Sequence, residues 1–108
     1  MQLSDIYTIL TGISGFSDKV AYNAFPAGMA PELPFICYLE TGSGSFAADG
    51  VAYHTSHAVA IELYTDTREL TTEALVEAAL TDAGLYYDKS VAWLDDEKCF
   101  EIIYKTEV

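Results

Sequence analysis

The chain has 108 residues, of which 51% are hydrophobic and 20% are charged, and its formal net charge is -12 at pH 7. A chain of this length and apolar content fits one folded domain over residues 1–108, because no Pro/Gly/Ser-rich run is long enough to separate two domains. Its acidity would repel phosphate groups. We therefore expect no direct sequence-specific nucleic-acid binding and no membrane partner.

The charge is uneven along the chain. Residues 1–60 contain five acidic residues and one basic residue, whereas residues 61–108 contain twelve acidic and four basic residues.

No apolar run approaches the roughly 20 residues of a membrane-spanning helix, and Met1–Asp5 lacks the basic start and apolar core of a signal peptide, so we expect a cytoplasmic protein. Cys37 and Cys99 have no metal-binding or redox spacing, which favours free, partly buried thiols over a disulfide.

The first elements are a helix and a short strand. Apolar residues recur at helical spacing at Leu3, Ile6, Tyr7, Leu10 and Ile13. This pattern predicts a short helix that ends near Gly12, with Ser4 or Asp5 available to cap its first turn. Residues 19–23 predict a brief strand, and the three prolines between residues 26 and 34 predict an irregular loop after it.

A second strand is predicted over residues 35–40, where both faces are apolar, so we expect it to be covered on both sides and to end at Thr41–Gly42. The next segment, residues 42–50, consists of small residues around one aromatic, Phe46. It predicts an extended hairpin loop. Two interpretations stay open: a flexible connector with Phe46 folded back on the body, or a docking arm that becomes ordered on contact with a partner.

The alternation of Val59, Ile61 and Leu63 predicts a central strand with one buried side. Asp66 and Thr67 are short acceptors suited to a helix start, and Gly84 is suited to a helix end, so a helix is predicted over residues 68–83. Its apolar residues at helical spacing are expected to pack inward: Leu70, Ala74, Leu75, Ala78, Ala79 and Leu80. Its acidic residues are expected to stay in solvent: Glu73, Glu77 and Asp82.

The remaining residues predict a terminal hairpin. Residues 85–87 and 91–94 precede an acidic turn at Asp95–Asp96, and residues 99–106 alternate again, with Phe100, Ile102 and Tyr104 on one face. The predicted fold is α+β, in the order α-β-β-β-α-β-β, with two helices packed on a mainly antiparallel sheet.

Catalytic patterns are absent from the sequence. His54 and His57 lie three residues apart on a predicted strand, so they point to opposite faces and do not share a metal. The carboxylates of residues 95–97 lack the spaced oxygens of a calcium loop and predict a solvated turn. With no phosphate-binding loop, nucleophile elbow or Cys–His pair, we expect no enzyme activity, no cofactor and no bound metal.

Protein contacts are the more plausible use of the surface. Tyrosine is enriched at interfaces, and this chain has eight. The candidate interface residues combine the small-residue segment, a nearby tyrosine and the acidic turn: Phe46, Asp49, Tyr53, Asp95 and Asp96.

The order of these segments resembles the small tail-completion proteins of long-tailed phages and prophages, which include tail terminators and head-tail joining proteins. The likeness spans nearly the whole chain and lies in the opening helix and in these segments: Val20–Tyr22, Pro34–Leu39, Ile61–Asp66, Gly84–Tyr87 and Phe100–Tyr104.

The resemblance implies a structural virion protein without enzymatic activity. Such a protein caps the tail tube as a ring, typically of six subunits, and presents a surface to the head. Its partners would be other copies of itself, the tail tube protein and head-connector proteins. It would occupy the host cytoplasm during assembly and then the virion neck. An acidic ring lining would let DNA pass without sticking.

Two other functions remain as alternatives. An acidic inhibitor that mimics DNA and blocks a host DNA-binding protein is supported by the charge alone, whereas the five basic residues interrupt the acidic pattern. A small enzyme that uses the carboxylate cluster lacks an acid-base pair in distinct environments.

Overall fold

The helices and strands follow the order predicted from the sequence. The computed structural model describes residues 1–48 and 52–108, and for residues 45–48 and 52–55 it describes the backbone alone. The elements are α1 (Leu3–Thr11), β1 (Val20–Tyr22), β2 (Phe35–Ala48), β3 (Ala52–Thr65), α2 (Leu70–Asp82), β4 (Asp88–Leu94) and β5 (Cys99–Glu107). This order confirms the predicted α+β class.

The strands form one sheet in the order β1-β2-β3-β5-β4. β1 is parallel to β2, and the other neighbours are antiparallel. β3 is central, as predicted, and Leu63 lies between Ile36 on β2 and Ile102 on β5. All three side chains are fully buried on the face that the two helices cover. The alternation of apolar residues along β3 therefore placed the core correctly.

The helix ends agree only in part with the prediction. α1 stops at Gly12, as expected, and the carboxylate of Asp5 accepts a hydrogen bond from the backbone N–H of Gln2 at 2.7 Å. The N-cap of α2 is Glu69, which makes no side-chain capping bond, so the predicted cap by Asp66 or Thr67 is wrong. Beyond the other end of α2, Gly84 has φ of +79°, a conformation that glycine adopts at little cost.

Segment 42–48 was predicted to be a loop, but it is part of β2. Gly42 pairs with Ala58 and Ala48 pairs with Ala52, so the predicted strand end at Thr41–Gly42 is wrong. A register irregularity between Glu40 and Gly42 marks the place where β2 departs from regular pairing. The partners on β3 include residues of high strand propensity, which supports pairing by the small residues of β2.

α2 turns a different side toward the sheet from the one predicted. Val76 and Leu80 are fully buried, but Glu73 is also buried, with 1% of its surface exposed. Leu70 and Leu75 are 67% and 43% exposed. The expectations that these two leucines pack inward and that Glu73 stays in solvent are therefore wrong, whereas the inward position of Leu80 is confirmed.

A network of ions and hydrogen bonds explains why α2 buries a carboxylate. Arg68 donates to the two carboxylate oxygens of Glu73 at 2.9 and 3.0 Å, and the Lys89 ammonium lies 2.8 Å from the same group. Lys89 also contacts Glu77 at 2.6 Å, and the hydroxyl of Tyr104 donates to Glu77 at 2.8 Å. The network therefore links α2 to both β4 and β5.

The electrostatic balance of Glu73 favours its ionised form. The hydrogen bonds from Arg68 lower the pKa of Glu73 below its usual range, and Lys89 adds to this effect. Burial acts in the opposite direction, but the two cations outweigh it. Since the cations are 41% and 31% exposed at their side chains, they keep part of their hydration while neutralising a buried charge.

We predict that Glu73→Gln lowers the free energy of unfolding at pH 7 by about 2 to 4 kcal/mol, because Arg68 and Lys89 lose their shared carboxylate. The pKa of Glu73 is depressed in the folded state, so its contribution is present above its unfolded value of about 4.3 and is lost as the pH falls through the folded value.

Urea denaturation from pH 7 to pH 3 should therefore show the gap between the wild type and Glu73→Gln closing in acid. Asp82→Asn, at an exposed position of the same helix, is the matched control and should change little. Equal stability of Glu73→Gln and the wild type at pH 7 would contradict a stabilising role for the network.

Candidate functional site

Within residues 1–48 and 52–108, no group of three or more His, Cys, Asp or Glu residues is placed to hold a metal ion. Neither α1 nor α2, the helices of this described part, has the length and apolar character needed to cross a membrane. Three surfaces of the described structure differ in chemistry: a protruding ribbon, an acidic turn and one face of the sheet.

The ribbon is formed by residues 41–48 of β2 and 52–58 of β3, and we call it the arm. β5 accompanies β3 only as far as the pair Ala58–Glu107, and β1 accompanies β2 only as far as Tyr38. Most of the arm thus consists of two strands without a third neighbour in the described structure. At about 3.3 Å per residue, residues 43–48 extend roughly 20 Å, which fits the elongated molecular dimensions of 50 × 28 × 23 Å.

The arm is almost free of charge. Residues 41–61 contain one acidic residue, Asp49, and no lysine or arginine, whereas the whole chain carries -12. Two acidic molecules repel each other least where their surfaces are neutral. A second acidic molecule can therefore approach the arm with little electrostatic penalty.

Contacts at its base anchor the arm to the body. The Nδ1 atom of His57 lies 2.6 Å from a carboxylate oxygen of Glu40, and both side chains are about 30% exposed (32% and 29%). The backbone N–H groups of His57 and Val108 each donate to the carbonyl of the other residue at 2.9 Å. His57 is therefore a half-buried structural contact, and the side chain of His54 lies outside the description.

The candidate residues predicted from the sequence fall into two groups. Phe46 pairs with His54, and Tyr53 pairs with Ala47, so both are arm positions by their backbone register. Asp49 lies outside the described residues. Asp95 and Asp96 are exposed in the turn between β4 and β5, where the Lys98 ammonium lies 3.0 Å from Asp95. Because both partners are more than 70% exposed (72% and 79%), this ion pair adds little stability.

The structure does not bring these two groups together. β3 begins in the arm at Ala52 and ends at Thr65, whose partner on β5 is Phe100, next to the acidic turn. With a rise of about 3.3 Å per residue, the length of β3 from one end to the other is roughly 40 Å. The arm and the acidic turn are therefore separate surfaces at opposite ends of the sheet.

The face of the sheet opposite the helices, which we call the open face, carries a pair of carboxyl groups that the sequence did not point to. The Tyr64 hydroxyl donates to Glu101 at 2.8 Å and lies 3.2 Å from Glu62. The Tyr64 ring also packs against Phe35, with 5.1 Å between ring centroids. The alternation of residues along β3 and β5 could have predicted that Glu62, Tyr64 and Glu101 lie on this face. Their contacts with one another depend on the register between the two strands, which the sequence does not show.

Burial on the open face changes the pKa of several side chains. It raises the pKa of Glu62, and the nearby charge of Glu101 raises it further. Burial and the hydrogen bond to Glu101 raise the pKa of Tyr64. Burial also raises the pKa of the Cys37 thiol to about 11. Cys37 and Cys99 are both free and buried, which confirms that they do not form a disulfide.

We predict that Glu62→Gln raises the free energy of unfolding at pH 7, because it removes a half-buried charge that faces Glu101. A carboxyl whose folded pKa is raised binds its proton more readily in the folded state. The unfolding free energy of the wild type should therefore increase as the pH falls through the folded pKa of Glu62 toward about 4.3, and the advantage of the variant should disappear there.

Thermal and urea unfolding at pH 7 and pH 4 measure this difference. Glu107→Gln is the control, because it also removes one negative charge but at an exposed position near the end of β5, outside the Glu62–Glu101 pair. A Glu62→Gln variant that is less stable than the wild type at pH 7 would show that the carboxyl pair is stabilising in its ionised form.

Comparison with known proteins shows a likeness to a solved structure. No family model matches the chain, and no curated protein matches it. Among solved structures, it is similar to a chain described as "Virion of native gene transfer agent (GTA) particle", with a TM-score of 0.60 and 18% sequence identity. The likeness covers 94% of this chain and 88% of that chain. At this identity it establishes a shared fold over nearly the whole of both chains.

Proposed function

We propose that this protein is a structural component of a phage or phage-like virion, which assembles with other virion proteins and catalyses no reaction. The observation that carries the proposal is the fold shared with a chain of a gene transfer agent virion over 94% of this chain. Coverage of 88% of the other chain means that the likeness is not limited to a common supersecondary motif.

Within that role, we propose that the protein caps the tail tube or joins the tail to the head connector, as a ring of copies. The resemblance of its segments to tail-completion proteins supports this role. The strongly acidic body supports it too, because negative groups around a channel let DNA pass without binding. Its partners would be the tail tube protein and head-connector proteins, first in the host cytoplasm and then in the virion neck.

The arm has the physical character of an assembly element. An isolated two-stranded ribbon is only marginally stable in water, so a ribbon of this length gains stability when another surface covers it. Unpaired strand edges are also the usual place where a second chain adds to a sheet. Phe46 and Tyr53 lie within the arm, which supports their proposed role in contacts between proteins.

The alternative of a DNA mimic has weaker support. A mimic needs free carboxylates that repeat like phosphates, but Glu73 is buried beside Arg68 and Lys89, and Glu77 is paired with Lys89. On the open face, Glu62 and Glu101 share contacts with Tyr64. These carboxylates therefore have structural partners and do not form an array that is free to bind a protein.

We predict that deleting the gene from its source phage or prophage blocks formation of complete particles. Electron microscopy of the induced lysate should show filled heads beside unattached tails if the protein joins the two, and overlong tails if it ends tail growth. Supplying the gene from a plasmid should restore complete particles. Intact infectious virions in the deletion lysate would contradict the proposed function.

We predict that Phe46→Ala leaves the free energy of unfolding nearly unchanged but fails to restore complete particles in the deletion strain. The reason is that an arm residue acts in contacts between proteins and not in the core of its own chain. Tyr86→Ala, which removes an aromatic side chain that is 95% exposed outside the arm, is the control and should restore particles. A large loss of stability in Phe46→Ala would place Phe46 in the core.

A further inference from the structure

The outer face of α2 carries apolar side chains in the position where a surface helix normally carries charged ones. Leu70 is 67% exposed and Leu75 is 43% exposed, and Ala74 and Ala78 are exposed beside them. In an ordinary amphipathic helix the apolar stripe faces the core and the acidic residues face water. Here a glutamate, Glu73, is buried while two leucines are exposed.

This arrangement is costly, which indicates a function for the outer face. Burying Glu73 requires two cations, Arg68 in bidentate contact and Lys89, whereas apolar side chains on the inner face would need no such compensation. Places where a chain departs from the ordinary pattern tend to be functional. A group of exposed apolar residues most often marks a surface that another protein covers.

The outer face of α2 also forms one wall of a groove. An open groove of about 470 Å³ lies between α1 and α2, with Thr8, Ile9 and Gly12 on one side and Leu75, Ala78 and Asp82 on the other. Asp82, at the end of α2, is the one ionisable side chain among the described residues that line it. The groove is thus largely uncharged in a strongly acidic protein.

The net charge of the chain and the length of the arm indicate what occupies the groove. A copy of this chain, which carries -12, can pack against another copy with little repulsion only through neutral surfaces. The arm, with one acidic residue over residues 41–61, is such a surface, and the groove is another. The arm reaches roughly 20 Å beyond the body, which is close to the body's width of 23 to 28 Å.

We propose that the arm of one copy docks into the α1–α2 groove of the next copy. Because the two surfaces differ, the contact is heterologous, and it produces the proposed ring when the rotation between successive copies closes. The arm then gains a covering surface, and Leu75, the exposed leucine that lines the groove, is buried. This inference rests on the proposed function, since it explains how copies of a virion protein contact one another.

The test is a charge exchange in the deletion strain. Ala78→Lys places a cation in the groove, and Ala47→Glu or Ser45→Glu places an acid on the arm. Each single change should lower the yield of complete particles by at least about tenfold, because it places a larger, charged side chain in a contact between two nearly neutral surfaces. Ala78→Lys combined with one of the two acidic changes should recover most of that yield, because the opposite charges then pair.

Two controls separate folding and charge from docking. The purified variants should keep a cooperative thermal transition near that of the wild type. Ser90→Lys, an exposed change on β4 far from the groove, should restore particles as well as the wild type does. Full particle yield with Ala78→Lys would overturn the inference, and so would failure of both double variants when the single variants fold.

The proposed function and this inference fail in different ways. Complete particles from the deletion strain without any plasmid would remove the proposed function and the docking that rests on it. A defective deletion strain that is fully restored by Ala78→Lys would leave the virion role intact and remove only the groove as the docking surface for the arm.

Discussion

The buried carboxylate of Glu73 determines which side of α2 meets the sheet. Its partners come from the segment before the helix, Arg68, and from β4, Lys89. Since Lys89 also reaches Glu77, which accepts a hydrogen bond from Tyr104, one network fixes the rotation of α2 and its position over β4 and β5. The remaining packing of Val76 and Leu80 then follows, because both side chains lie on the side that Glu73 directs inward.

The same network shapes the surface. Turning Glu73 inward turns Leu70 and Leu75 outward and makes α2 the apolar wall of the α1–α2 groove. It also pairs two of the five basic residues with a buried carboxylate, which leaves three to offset the other carboxylates. A single buried group thus accounts both for the outward apolar face and for much of the contrast between this face and the acidic surroundings.

The sequence predicted those elements whose pattern is local. The alternation of Val59, Ile61 and Leu63 placed the central strand correctly, because burial on one face of a strand repeats every second residue. The rotation of α2 could not be predicted, since apolar residues occur on more than one side of it and the deciding partner, Lys89, lies on another element. The β2 half of the arm, residues 42–48, was predicted as a loop because its small residues give no strand signal, and its pairing depends on β3. Likewise, the sequence could not show that Phe46 and Tyr53 lie far from Asp95 and Asp96, because that distance depends on the register of the strands.

In the proposed assembly, the acidic body and the neutral arm have opposite effects. Repulsion between bodies that carry most of the -12 charge opposes random association in solution. The arm and the groove, which carry little charge, supply attraction only where the copies meet in one orientation. A weak contact of this kind is reinforced when several copies are held together on one template, because each further contact then forms at high effective concentration. The end of a tail tube would provide such a template, so a protein that stays monomeric when purified is consistent with a ring in the virion.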